Sequence, residues 1–338
     1  MFWREIQTLL QPGTSLEPTE RAKFKRANLE TIVSFGGDNF LDVVCRDTVS
    51  GHDIRRMLAL SVIDELVRLD ARGTWTHYMS NQGYLRHIVE SLASEDEALC
   101  GLLVGRDDDG MGGNGPNMKS LYTYESKMAM LTRLAATVAG AELLLESGLM
   151  LRLAEMSVFS ARPDLTPTAS VALMEADSAV PSPLQRYHQI LFPALRLCQA
   201  LLSSLGGRSN LSASAQILHF VTRNEDLVRT VLRSRPEAPA WPMMMARLQE
   251  TALLTGILAR SMSAETFDSS GATSASDLEL SSHATRIQRL MLALIPHFDP
   301  TDDLIRILRD NSGGDERAFR SAIAAALEIN ANVLTFAR

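Results

Sequence analysis

Three glycines, Gly110, Gly112 and Gly115, reproduce the G-x-G-x-x-G order in which backbone N–H groups at a helix start meet a dinucleotide's pyrophosphate. That chemistry needs a strand before the glycines and a helix after them. Here a helical pattern precedes them, Asp107, Asp108 and Asp109 would repel a phosphate, and Pro116 follows directly. The same aspartates do not make a calcium loop, because Gly110 comes too early and no Glu closes the loop at its twelfth place. The segment 105–117 (GRDDDGMGGNGPN) reads as a flexible surface loop.

His52 and Asp53, followed by Arg55 and Arg56, are the other polar cluster that could support a site. They carry the alternative expectation of a helical ligand-binding or enzymatic domain with a dispersed site near His52 and Asp53. Because Gly51 precedes them at a helix start, Asp53 is first a residue that complements the helix dipole. The remaining histidines, His77, His87, His188, His219, His283 and His297, show no H-x-x-x-H or H-E-x-x-H spacing. There is no G-x-S-x-G elbow and no phosphate-binding G-x-x-x-x-G-K-[ST] loop. Cys45, Cys100 and Cys198 stand 55 and 98 positions apart, so no two form a CxxC, and each reads as a small apolar residue in a reducing compartment. The expectation is no catalytic residue, no cofactor and no metal.

The elements that would position any site are helices. Apolar residues recur at helical spacing almost throughout the 338 residues, and strand-like alternation is hard to find. The spacing predicts helices over 19–35, 40–48, 53–69, 84–94, 96–104, 118–147, 149–159, 183–203, 209–222, 225–233, 241–261, 284–296, 301–309 and 317–336. The helix 53–69 is apolar on two lines, one through Ile54, Leu58, Val62 and Leu66 and one through Met57, Leu60, Ile63 and Val67. Such breadth suits a helix sandwiched between two others in a stacked array. Segments 160–182, with Pro163, Pro167 and Pro181, and 261–283, rich in Ser, Thr, Ala and acid, read as further flexible loops.

Composition narrows the function classes. With 46% hydrophobic and 22% charged residues the chain can build a core, and 33 basic against 40 acidic residues give a net charge of -7. An acidic chain is not built to neutralise phosphates, so nucleic acid is not an expected partner. No apolar run approaches the roughly 18 residues of a spanning helix, so direct membrane insertion is not expected.

The last helix is the most informative for binding. Phe319, Ile323, Ala326, Leu327, Asn330, Val333 and Leu334 form one stripe expected to face the body. Ile329 and Phe336 lie about 100° away on a second face. A face of that kind can hold a partner's helix, with Phe336, Ile329, Ile323 and Leu334 as the expected partner-binding residues.

Several strings together carry a resemblance. They are Asn28-Leu-Glu-Thr-Ile, Asp42-Val-Val-Cys-Arg-Asp47, Gly51-His-Asp-Ile-Arg-Arg-Met-Leu-Ala-Leu60, Leu121-Tyr-Thr-Tyr-Glu-Ser-Lys-Met-Ala-Met130 and Arg186-Tyr-His-Gln-Ile-Leu-Phe-Pro-Ala-Leu-Arg-Leu-Cys-Gln199. In order and spacing the chain resembles the C-terminal part of the large inner-ring scaffold nucleoporins of the nuclear pore complex. The resemblance implies a single α-helical domain over 1–338, the C-terminal part of a longer chain. Its architecture would be an α-solenoid of stacked antiparallel helix pairs, a diverged HEAT/armadillo-like array. It further implies residence at the nuclear envelope and an adaptor role without catalysis, with other inner-ring nucleoporins as partners, above all helical segments of the linker nucleoporin. The only Phe-Gly dipeptide is Phe35-Gly36, so the chain does not resemble the repeat-bearing nucleoporins.

Overall fold

The computed structural model describes residues 18–70, 73–104, 118–163, 181–205, 207–233, 241–262 and 275–337. Among these the regular structure is helical, with no strand. Six long helices form a row: α1 (Pro18–Ser50), α2 (Asp53–Leu69), α6 (Lys119–Ala135), α9 (Pro183–Ser204), α12 (Trp241–Ser261) and α16 (Glu316–Phe336). Each packs most heavily on the next in the row. The other helices fill in between: α3 (Thr74–Asn81), α4 (Tyr84–Glu90), α5 (Ala93–Val104), α7 (Val138–Glu146), α8 (Leu149–Glu155), α10 (Gly207–Arg223), α11 (Glu225–Leu232), α13 (Ala275–Leu292), α14 (Ile295–Phe298) and α15 (Asp302–Asn311). Such a row of packed helices is the all-α architecture that the periodicity predicts and the solenoid that the resemblance implies.

Local chemistry explains most of the corners. α1 is two helical runs meeting at Gly37, whose φ of 51° only glycine adopts without strain. A side chain at Gly36 would place its Cβ 2.6 Å from the Cβ of Phe40, so both glycines are needed at this kink. The run expected as one helix over 118–147 is broken, because Thr137 caps α7 by accepting from the Gly140 backbone N–H at 3.1 Å. Gly140 permits that corner, since a Cβ there would lie 2.2 Å from the Leu134 carbonyl. α3 falls where periodicity indicated no helix; the Asp70 carboxylate accepts from the Trp75 N–H at 2.7 Å and left-handed Gly73 precedes it. α9 opens with a capping box between Ser182 and Gln185.

Three differences from the periodic reading matter. Leu60, Ile63, Leu66 and Val67 make the core line of α2, whereas Ile54 and Leu58 are exposed; the helix is sandwiched between α1 and α6 as expected, but on a narrower stripe. Residues 275–283, expected in a loop, are the first turns of α13. Ala, Leu and Glu there are good helix formers, and the buried Ile287 and Met291 anchor the same helix further on. Residues 261 and 262 are buried at the end of α12. The segments 105–117, 164–180 and 263–274 lie outside the described residues.

The core runs along the row without interruption, from Cys45 through Leu60, Tyr124, Ile190 and Leu258 to Ile329. Two buried tyrosine hydroxyls are tied off within it. The Tyr124 hydroxyl donates to the Ile190 carbonyl at 3.0 Å, and Tyr187 donates to the Phe159 carbonyl at 2.9 Å. Cys45 and Cys198 are buried, and burial pushes each thiol up to about 12, which makes them inert core residues.

Candidate interaction face on the last helix

α16 is started by Asp315, whose carboxylate accepts from the Arg317 N–H at 2.9 Å and the Ala318 N–H at 3.3 Å. Its body-facing stripe is Phe319, Ala322, Ala326, Ile329 and Val333, spaced by three and four residues. Small Ala322 and Ala326 let α12 come close. At the crossing, Asn332 Nδ2 donates to the Ala252 carbonyl at 3.2 Å, and Gln199 Nε2 of α9 donates to the Leu253 carbonyl at 3.1 Å. A Cβ at Gly256 would stand 2.8 Å from Gln199 Nε2 and 3.3 Å from Asn332 Nδ2, so three helices of the row meet where one of them has no side chain.

The four residues expected to bind a partner therefore do not share one face. Ile329 is fully buried in the core, which corrects its assignment to an open second face. Phe336 is half-buried and packs on the same core. Leu334 is 47% exposed, and Ile323 is half-buried at the margin of the exposed side. At about 100° per residue, Phe336 and Leu334 point roughly 160° apart. The stripe expected to face the body is thus split, with Leu327 and Leu334 outside it and Ile329 inside. The body side is the one α12 approaches closely, over Ala322 and Ala326 and against Gly256.

What remains open is a different line. Ala324, Leu327, Ala331 and Leu334 follow each other at intervals of three and four residues on the solvent side of α16. Leu327 and Leu334 are each nearly half exposed, and the small Ala324 and Ala331 beside them are exposed too. A seam with that 3.5-residue rhythm accepts a second helix by knobs-into-holes packing.

Elsewhere the polar residues are structural. His52 is exposed at the start of α2 and makes no side-chain cap, while Asp53 lies in the first turn. Arg56 turns away from both to donate to Glu95 at 2.7 Å. Among the described residues no group of His, Cys, Asp or Glu could hold a metal ion, and no helix is long and apolar enough to cross a membrane.

With this geometry in place, a family comparison is decisive. Residues 8–262 match the model of the family described as Nup192, nuclear pore complex scaffold, nucleoporins 186/192/205. The chain belongs to the Nup192 family. It is 37% identical over 323 residues to the human nuclear pore complex protein Nup205 and 35% identical over 327 residues to the Drosophila melanogaster protein of that name. These alignments cover 93% and 94% of the chain but 15% of each relative, so the chain spans about a seventh of the length of the relatives it matches. As a member of the Nup192 family it is a scaffold nucleoporin of the nuclear pore complex at the nuclear envelope.

The strings that carry the likeness to the Nup192 family lie where the row is pinned by buried polar contacts. Asp42 accepts from the Tyr78 and Tyr84 hydroxyls at 2.7 and 3.0 Å, which hold its carboxyl below the usual range. Glu95 accepts from Arg56 and, at 2.5 Å, from the fully buried Lys127. Burial pushes the Lys127 ammonium down against the pull of Glu95. Tyr187 and Gln199 pin α9 in the same manner. α16 follows the matched residues 8–262, so its open seam is a feature of the structure and not of the family model.

Proposed function

We propose that this chain is a non-catalytic adaptor module of the pore's inner ring, and that the outer seam of α16 receives a short amphipathic helix from another nucleoporin, foremost the linker nucleoporin. One observation supports the reading above others: a helix whose body side is filled still carries Ala324, Leu327, Ala331 and Leu334 open to solvent. Leucines alternating with alanines give a partner helix apolar anchors and room for close approach, and a few such anchors supply most of the affinity of helix-in-groove binding.

In this reading Leu334 and Ile323 contact the partner, while Ile329 and Phe336 hold the helix in place from behind.

The test is a calorimetric titration with overlapping peptides of the linker nucleoporin. We expect saturable binding that Leu334→Glu weakens at least about tenfold, equivalent to 1.4 kcal/mol, and that Ile323→Ala weakens less. Binding unaffected by Leu334→Glu would move the site off α16. Absence of binding by any peptide would overturn the linker nucleoporin as the partner.

A further inference from the structure

The row of long helices carries a charge opposite to that of the chain. Over their full lengths α1, α2 and α16 each balance basic against acidic residues, whereas α6, α9 and α12 together hold seven basic residues and two acidic ones. The row is therefore +5 in a chain whose net charge is -7. Of the two carboxylates, Glu250 is buried beneath Arg162 and Glu125 is half-buried. The exposed charged residues of these three helices, Lys119, Arg133, Arg196 and Arg260, are all basic. Three of them share one side of the row. α5 and α7 cover both α6 and α9, and α10 covers both α9 and α12, so the side turned away from those helices is continuous across all three. Arg133 lies on the open line of α6, and Arg196 lies on that of α9, two turns before Ser203. Hydrogen bonds fix the levels: the Ser204 hydroxyl donates to the Ala135 carbonyl, and Arg260 donates to the Ser203 hydroxyl. Arg133 and Arg260 thus stand near the same end of the row, with Arg196 set back between them. The acidic neighbours on α2 are committed, Asp64 to Arg133 Nε at 2.6 Å and Glu65 to Arg68. Arg133 keeps its terminal N–H groups for a further acceptor, and among the described residues no carboxylate stands within 4.0 Å of Arg196.

We infer that the open side of α6, α9 and α12 is a docking surface for an acidic peptide segment whose carboxylates meet Arg133, Arg196 and Arg260. Charge complementarity names the occupant, and spacing limits its form. Packed helices lie roughly 8–10 Å apart, and an extended polyproline-II chain advances about 9 Å in each turn of three residues. Glutamates at every third place therefore offer one carboxylate to each helix. Guanidinium meets carboxylate in a planar fork, which gives each contact direction as well as charge. The net charge of -7 repels a long polyanion, whereas a short segment meets only the local field. This inference is independent of the α16 seam.

Fluorescence anisotropy of the full chain tests it, with a labelled peptide of Ser-Ser-Glu repeats and its Gln-for-Glu twin. The Glu peptide should bind at least about tenfold more tightly than the Gln twin, and added salt should reduce the difference. Arg196→Glu should abolish that preference without shifting the melting temperature, since the side chain is exposed. Arg223→Glu makes the same change of charge at an exposed position of α10, on the covered side of the row, and should leave binding intact, as should Leu334→Glu. Equal binding of the two peptides, retention of the preference by Arg196→Glu, or an equal loss in Arg223→Glu would overturn the surface. Equally tight binding of a labelled single-stranded oligonucleotide would also overturn it, by showing a general anion patch and not a peptide site.

Discussion

α6 and α16 are both long helices of the same row, and they differ in how much of their circumference is covered. α6 is enclosed by α2, α5, α7 and α9, and its buried set includes Leu121, Tyr124, Met128, Met130, Leu131 and even the charged Lys127. α16 buries one stripe, against α12 and the short helices α14 and α15, and leaves Ala324, Leu327, Ala331 and Leu334 in water. Enclosure makes most of α6 a packing or charge-balancing problem, and only a narrow line through Tyr122, Ala129 and Arg133 reaches water. Partial coverage separates the two tasks. The same α16 holds the body with one side and is free to bind with the other.

That contrast makes ordered predictions. Glu95→Leu should have the largest effect, because it leaves Lys127 buried without its carboxylate; we expect a loss of about 3–5 kcal/mol in urea unfolding. The double change Glu95→Leu with Lys127→Met should recover much of that loss, and its failure to do so would mean that α6 depends on the ion pair itself and not on balanced charge. Ile329→Ala should cost about 2–4 kcal/mol in the same measurement, as expected for truncating a fully buried aliphatic side chain. A cost near zero would put Ile329 back on an open face and erase the distinction between the two sides of α16.

Phe336→Ala, at a half-buried position, should fall lower, at about 1–2 kcal/mol. The acid limb of stability tests α12 in the same frame. Burial raises the Glu250 carboxyl, but His188 and the Arg162 fork, at 2.6 and 3.0 Å, outweigh it and leave the group below its ordinary 4.5. Its contribution is therefore present above about pH 4.5 and is lost as pH falls through the lower folded value. Glu250→Gln should flatten that part of a pH-stability curve. The smallest stability effect is expected for Leu327→Glu and Leu334→Glu, within about 0.5 kcal/mol, even though these changes should remove peptide binding.

Much of this architecture was legible in the residues. Gly36-Gly37 marks the α1 kink because glycine alone takes φ of 51°, and Gly73, Gly83 and Gly148 mark helix starts for the same backbone reason. The neighbours of the glycine-rich string at 105–117 argued against a nucleotide site, and Gly51 before His52-Asp53 marked a helix start, with a dispersed site there kept as the alternative expectation. The break at Thr137 was less visible, since Leu, Ala and Val continue the apolar rhythm through it and the cap is one hydroxyl on one N–H. The first turns of α13 were hidden by a composition that also suits a loop. At the interaction face the sequence showed two apolar stripes and offered no physical basis for choosing between them.

The sequence by itself determined that this is a helical, acidic chain, because periodicity and charge are local properties, and its resemblance to the scaffold nucleoporins rests on strings of residues in their order. Tertiary structure alone decided which side of α16 is open. That choice depends on Gly256, Gln199 and Asn332, which are far apart in the chain and meet only when α9, α12 and α16 stack. A stripe is buried when a neighbour can approach it, and close approach is a property of the pair and not of either helix.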